Sequence, residues 1–332
     1  MVCVLTFALR QYAALSHPVS RSLHASTVHA AAIPVPLTAA QLARIKPNEV
    51  GVVPILEYHD IGPKDKLMCR SIAGFRRDLQ RLYALGYRPV ALQDYLANRI
   101  ALPPGKSPVI FTFDDARDSQ FCYRPDGTID PNCVVGILQG FARQHPDFPI
   151  RATFYVLPPT AFGQPKLRAK KLRALIAMRC EIGNHTVHHK SLQRLSDAQV
   201  RQEVAGCVAM VHKLVPQAKV ESLALPFGRA PRHRALLASG WAGGQHYINR
   251  AVLLAGAEPA PSPVSRRFDP MRLPRVQPVA GGDGLDYWLD ILKHHPERRY
   301  ISDGDPNTIT VPRARRADVD RARLHKARLR IY

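Results

Sequence analysis

The chain has 332 residues, 46% of them hydrophobic, which is enough to bury a large core and excludes a disordered protein. Its formal net charge is +21, yet no aromatic interleaving or nucleic-acid motif accompanies that charge, so a nucleic-acid partner is not expected. No run of eighteen apolar residues occurs, so no membrane-spanning helix is indicated.

Residues 1–32 read as a signal peptide. Met1–Leu15 is mostly apolar, and the alanines at 30–32 precede Ile33-Pro34 in the manner of a small-residue cleavage site, although a basic leader is missing. This predicts a periplasmic or secreted protein; without export it would be cytoplasmic. Residues 33–50 form a polar lead-in. Val52–Tyr58 is a short apolar run ending at His59-Asp60, consistent with a first buried strand. Ser71 is a candidate cap for a helix to Leu85, with Phe75, Leu79, Leu82 and Leu85 at helical spacing and Gly86 as the stop. A strand at Pro89–Leu92, a helix at 93–100 and a strand at Pro108–Phe113 follow.

The alternation continues with a helix at Val134–Arg143, a strand at Ala152–Leu157, a helix at Leu167–Arg179 and a strand ending near Gly183. A long helix runs from Ser196 to Leu214, a strand covers Ser222–Leu225, and a helix covers Arg232–Ala238. Strands alternating with helices predict an α/β fold with a parallel sheet. Because the candidate functional residues follow strands, we read residues 51–310 as one distorted (β/α) barrel of about seven strands with its site at the strand C-terminal face. Residues 311–332 are read as a basic tail; eight Arg/Lys stand against Asp318 and Asp320 between Arg313 and Arg330. That charge would favour contact with a cell envelope or another anionic surface. Cys122 and Cys133 flank a polar turn and are either a local disulfide or two reduced thiols.

The most informative pattern is Phe111-Thr112-Phe113-Asp114-Asp115, with His185-Thr186-Val187-His188-His189 downstream. The histidines at i and i+4 are expected on one helical turn. One carboxylate and two imidazoles make a three-ligand divalent-metal site with room for water, and the second carboxylate is available as a base. Zn²⁺ suits these donors, and Co²⁺ or Mn²⁺ is tolerated. His188 is expected to face another side of the turn.

Thr112–Asp115 and His185–His189 resemble the first two motifs of the polysaccharide deacetylase family, metal-dependent carbohydrate esterases. The resemblance covers roughly residues 50 to 280. It implies Asp114 as general base, Asp115, His185 and His189 as metal ligands, and Thr186 as a brace within its loop. Pro226-Phe227-Gly228 is similar to the end of the family's third motif, with Phe227 N–H as the oxyanion donor, but Ala224 stands where an arginine is expected. That variant, with Tyr58-His59-Asp60, resembles the branch that deacetylates poly-N-acetylglucosamine. His59 then has a supporting role in catalysis, and Arg275 is a candidate for the replacement positive charge. The acid that protonates the leaving amine is sought at His295, with His294 and His246 as alternatives. The resemblance implies removal of N-acetyl groups from an acetylated amino-sugar polysaccharide; a polysaccharide O-acetyl esterase or a silent glycan binder stays open.

Overall fold

A computed structural model describes residues 36–279 and 283–332. The proposed signal peptide lies outside the described residues. In chain order the elements are α1 (Ala39–Ile45), β1 (Ile55–Tyr58), β2 (Asp60–Gly62), β3 (Cys69–Ser71), α2 (Ile72–Ala84), β4 (Tyr87–Pro89), α3 (Leu92–Leu96) and β5 (Ser107–Phe113). Then come α4 (Val134–Gln144), β6 (Ala152–Val156), α5 (Arg168–Ala177), β7 (Glu181–Asn184), α6 (Asp197–Leu214) and β8 (Ser222–Ala224). The last are β9 (Ser239–Ala242), β10 (Gln245–Ile248), β11 (Ala251–Leu253), α7 (Leu285–His294), β12 (Thr308–Val311) and β13 (Arg328–Ile331).

The helices start where local chemistry supplies caps. The Ser71 hydroxyl accepts from Gly74 N–H at 3.0 Å, and α2 then buries Phe75, Leu79 and Leu82 along one stripe. Ser196 and Gln199 form a reciprocal capping box at the start of α6, with Asp197 in its first turn.

Seven parallel strands form the main sheet, in the order β1-β5-β6-β7-β8-β11 with β4 also on β5. The sheet curls, and Leu273–Val276 joins its two edges: Leu273 bridges Leu253 of β11, and Val276 bridges Leu56 of β1. The result is a distorted α/β barrel, as the alternation predicted.

Side-chain alternation along each strand decides what points inward. Leu56, Tyr58, Phe111, Phe113 and Phe154 belong to the large cluster shared with the helices. Ile55, Ile110 and Tyr155 belong to a second cluster, on the opposite face, with Ala224, Leu253 and Leu273. Going up this inner face, Ile110 is followed by Thr112 and Asp114, and Ile55 by Glu57 and His59. The barrel interior therefore turns from apolar to ionisable toward the strand C-terminal ends. Gly183 is needed at this point, because a Cβ there would lie 2.3 Å from the Tyr155 ring.

The two ends of the barrel domain differ from the sequence reading. Residues 311–332 are not a free tail, because β13 pairs in parallel with β12, and Ile309, Val311 and Val319 are buried with Val50 and Val264. Hydrophobic residues interleaved with the arginines anchor this segment. The lead-in is equally attached: Asn48 N–H donates to Ile301 O, and Glu49 N–H to Thr310 O.

Candidate active site

Asp114 and Asp115 follow β5, and their adjacent carboxylates have opposite surroundings. Asp114 is fully buried. The Arg275 guanidinium grips it with both terminal nitrogens, Nη1 to Oδ1 and Nη2 to Oδ2, each at 2.8 Å. Such fork-to-carboxylate pairing fixes orientation as well as charge. Arg275 Nη1 also donates to the Thr112 hydroxyl at 3.1 Å, and Arg275 Nε to Leu254 O at 2.7 Å. Gln120 Nε2 ties the Asp114 and His59 carbonyls together. Burial pushes the Asp114 carboxyl upward, but Arg275, His185 and His59 outweigh it and hold the group at about 2.

Arg275 enters on the segment that closes the barrel. It is completely buried, and its fork reaches Asp114 from a segment other than the one that carries Ala224. Glu57 is its second carboxylate, 3.0 Å from Nη2. Sequence reasoning missed Glu57, although the signal was present: a glutamate inside an apolar strand needs a cation. Burial raises its pKa, Arg275 opposes the rise, and Asp114 adds to it.

Asp115 faces the two imidazoles of the downstream motif. Its Oδ1 lies 3.5 Å from His185 Nε2 and 3.6 Å from His189 Nε2. These separations are long for hydrogen bonds. They match the spacing of about 3.4 Å between donors that share one tetrahedral ion at 2.0–2.1 Å. His185 Nδ1 is 2.9 Å from Ala224 O, which orients the ring so that Nε2 faces Asp115. That Nε2 is buried and has no hydrogen-bond partner among the described residues. An orphaned imidazole nitrogen beside a carboxylate and a second imidazole fits a divalent cation. Burial lowers the His185 pKa, but Asp114 and Asp115 outweigh it and raise it. Burial and His185 together lower that of His189.

The histidine pair is not on a helical turn. Residues 185–190 form an irregular loop in which Thr186 and His189 have φ of 68° and 53°. Thr186 Oγ1 accepts from the His189 N–H at 3.1 Å, bracing that loop as expected. Asp115, Ala116 and Phe227 also have positive φ, so left-handed non-glycine residues gather in the three motif loops. Such strain persists where surrounding bonds over-determine the backbone, and active sites are common hosts. His188 turns away to Glu203, 2.9 Å from Oε1.

Both groups line a cavity of about 390 Å³ at the strand C-terminal face, together with His59, Arg117 and the β2–β3 loop at Lys66–Cys69. His59 Nε2 is 3.9 Å from Asp114 Oδ2. Phe227 is 63% exposed at the rim, with its ring 4.6 Å from that of His189. Pro226 is buried beneath the turn, and Gly228 has φ of 64°, with a Cβ there 2.9 Å from that of Ala255. Nothing in the sequence pointed to Lys66, Leu67 or Met68, since no motif marks that loop.

His295 does not reach the cavity. It caps the end of α7, exposed, 3.3 Å from Glu297. His294 is on the same helix end, and His246 stacks on Trp241 in the β9–β10 hairpin. His294 and His295 are exposed because the buried stripe of α7 is Leu285, Leu289 and Leu292. Cys122 and Cys133 are free thiols.

Residues 101–240 match the sequence model of the polysaccharide deacetylase family. Residues 101–240 thus resemble a polysaccharide deacetylase domain. A chitooligosaccharide deacetylase of Bradyrhizobium sp. (strain ANU 289) is 32% identical over 124 residues, which is 37% of this chain and 48% of that relative. The chain thus matches about half the length of the curated relative. Among solved structures, Streptococcus pyogenes deacetylase PplD in complex with acetate superposes with a TM-score of 0.52 at 19% identity, covering 68% of this chain and 92% of that one. IcaB from Ammonifex degensii gives 0.51 at 19% identity, covering 72% and 97%. At these identities the two structures establish the fold that this chain shares with them. The family match stops at residue 240, so Arg275 lies beyond the deacetylase sequence signature although it grips Asp114.

Proposed function

We propose that this protein is a metal-dependent hydrolase that removes N-acetyl groups from an N-acetylglucosamine-containing polysaccharide. The observation that carries this reading is the pairing of two settings in one cavity: a donor triad of Asp115, His185 and His189, and an Arg275-gripped Asp114 beside it.

Asp115, His185 and His189 would hold a divalent ion, with Zn²⁺ the best match to two imidazoles and a carboxylate and Co²⁺ or Mn²⁺ as substitutes. Such an ion supplies Lewis acidity and lowers the pKa of a bound water to about 7. Asp114, the general base, accepts a proton from the attacking water at Oδ2, the oxygen nearer His59 and His185. Arg275 keeps it ionised and pointed into the cavity. The Gly228 and Arg229 N–H groups are bound within the turn to Leu225 O and Pro226 O. Phe227 N–H remains for the oxyanion of the tetrahedral intermediate. His59 is the cavity histidine outside the donor triad, and we assign it the proton that leaves with the amine. With Arg275 replacing the missing arginine and His59 replacing His295, the silent-binder reading loses its two supports. The alanine-rich N-terminus supports export to the periplasm or beyond, and a mature chain beginning near Ile33 in the exported fraction tests it.

The deciding experiment is acetate release from N-acetylglucosamine oligomers after chelation and re-addition of Zn²⁺, Co²⁺ or Mn²⁺, with O-acetylated glycan in parallel. The expected result is metal-dependent release from the amide substrate, reduced roughly 10²- to 10⁴-fold by Asp114→Asn. Release from the ester alone would make the protein an O-acetyl esterase.

A further inference from the structure

The C-terminal segment builds a second concave site, remote in sequence from the motifs. Arg313 and Arg316 stand three residues apart on a 3₁₀ turn, Arg313–Asp318, where such residues eclipse each other and share a face. Arg321 joins them from the next turn, and Arg266 from the loop before α7. These four arginines line a cleft of about 460 Å³.

The cleft is rigidly framed. Arg266 N–H donates to Asp318 O, and Asp320 N–H to Val264 O, at 2.9 and 2.8 Å. Arg266 Nε donates to Ala317 O at 2.9 Å. Val319, in the cleft wall, is buried in the small cluster with Val264 and Val311. Stretch 313–330 contains two acids, and both are committed elsewhere. Asp318 pairs with Arg315, and Asp320 pairs with Arg323 at 3.3 Å. Among the described residues, no carboxylate lies within ion-pair distance of Arg266, Arg313, Arg316 or Arg321.

These four arginines are solvent-exposed and, without a paired carboxylate, their forks are free to converge on one multiply charged anion. Each presents a planar fork suited to phosphate oxygens. One phosphate monoester carries about −1.5 to −2 at pH 7, too little for four positive charges. We propose that this cleft is a binding site for a diphosphate or longer polyphosphate group. The proposal goes beyond the deacetylase reading and does not depend on it.

The test is calorimetric titration of the full chain with inorganic orthophosphate, pyrophosphate and tripolyphosphate, in metal-free buffer at about 0.15 M salt, where long-range attraction is screened. The expected result is one saturable site, tightest for tripolyphosphate and weakest for orthophosphate. Arg316→Gln/Arg321→Gln should weaken tripolyphosphate binding roughly tenfold or more, since each lost guanidinium removes a charge-assisted contact. Arg173→Gln/Arg194→Gln removes equal charge from outside the cleft and should leave affinity within about twofold, as screened distant charges contribute little. Equal weakening by both pairs would reduce the effect to net charge and overturn the site. So would binding to phosphatidylglycerol vesicles or a single-stranded oligonucleotide without binding of tripolyphosphate.

Discussion

The barrel mouth and the junction between the two ends of the described chain both bury carboxylates, and they treat them oppositely. At the mouth, Asp114 is deep in the protein yet held at about 2, because burial is outweighed by the Arg275 fork and two imidazoles. At the junction, Glu49 is equally buried and accepts from Thr310 N–H at 2.7 Å and from Tyr300 OH at 3.2 Å. The neighbouring charge that acts on it is that of another acid, Asp303. Burial first, and Asp303 second, raise its pKa well above the usual carboxylate range, against the pull of those hydrogen bonds. Burial has the same sign in both places, so the partner decides. A site meant to use a carboxylate as a base near neutral pH keeps a buried cation beside it. A site meant only to join chain segments can leave the acid protonated and use it for hydrogen bonds.

The sharpest way to break that contrast is to remove the cation. Arg275→Met leaves Asp114 and Glu57 buried without their guanidinium, and unpairing a buried charge costs about 3–5 kcal/mol. Urea unfolding of the metal-free protein should register a loss of that size, and Arg275→Met/Asp114→Asn should recover part of it. If the single variant unfolds like the parent, Arg275 is not the partner that keeps Asp114 ionised. Metal comes next in size. Asp115 takes the half-exposed Arg117 guanidinium on Oδ2 at 3.1 Å and turns Oδ1 to the two imidazoles, where the proposed ion would sit. Zn²⁺ at a hundredfold excess over its Kd should stabilise the fold by about 2.7 kcal/mol. His185→Ala should abolish that gain and the bound zinc in elemental analysis; unchanged stoichiometry would remove the centre.

How much of this could be read beforehand follows from how far apart the partners are. Asp114-Asp115 and His185–His189 are short, contiguous signals, and each follows a strand whose apolar run is visible, so the triad was accessible. The loop geometry was not: an i, i+4 spacing suggests a helical turn, whereas positive φ at Thr186 and His189 bends the chain to aim both rings at Asp115. Arg275 was a candidate because Ala224 left a charge missing, but its target depended on Leu273–Val276 closing the barrel against β1 and β11. Arginine composition hid the anchoring of residues 311–332, where every alternate position of β13 is basic while Leu329 and Ile331 pack inward. Histidine at a helix end carried no positional information, and His295 was accordingly misplaced.

Glu49→Gln sharpens the contrast from the other side. Because the folded pKa of Glu49 is raised above its unfolded value of about 4.3, the native state holds more protons than the unfolded state between the two. Its stabilising contribution is complete below about pH 4.3 and is lost as pH rises through the folded pKa. The parent should therefore lose stability relative to Glu49→Gln over that window, at no more than about 1.4 kcal/mol per pH unit for one proton. Denaturation curves of the two proteins that stay parallel from pH 4.5 upward, in steps of about one unit, would show that Glu49 is ionised in the fold.

The smallest effect isolates exposure. Arg81 on α2 also holds two carboxylates, Asp286 and, at 2.6 Å, Asp290, both from α7. In partner count it is the twin of Arg275. It differs in being 33% exposed, with its acids more than half exposed, where Arg275 and its partners are sealed from water. Water already solvates all three charges at the α2–α7 seam, and ordering three side chains has an entropic cost. Arg81→Met should then change stability by about 0.2–1 kcal/mol, an effect that shrinks further in about 1 M salt. A loss as large as that of Arg275→Met would mean that pairing, rather than burial, sets the worth of these arginines, and the contrast between mouth and junction would have to be rebuilt on pair geometry alone.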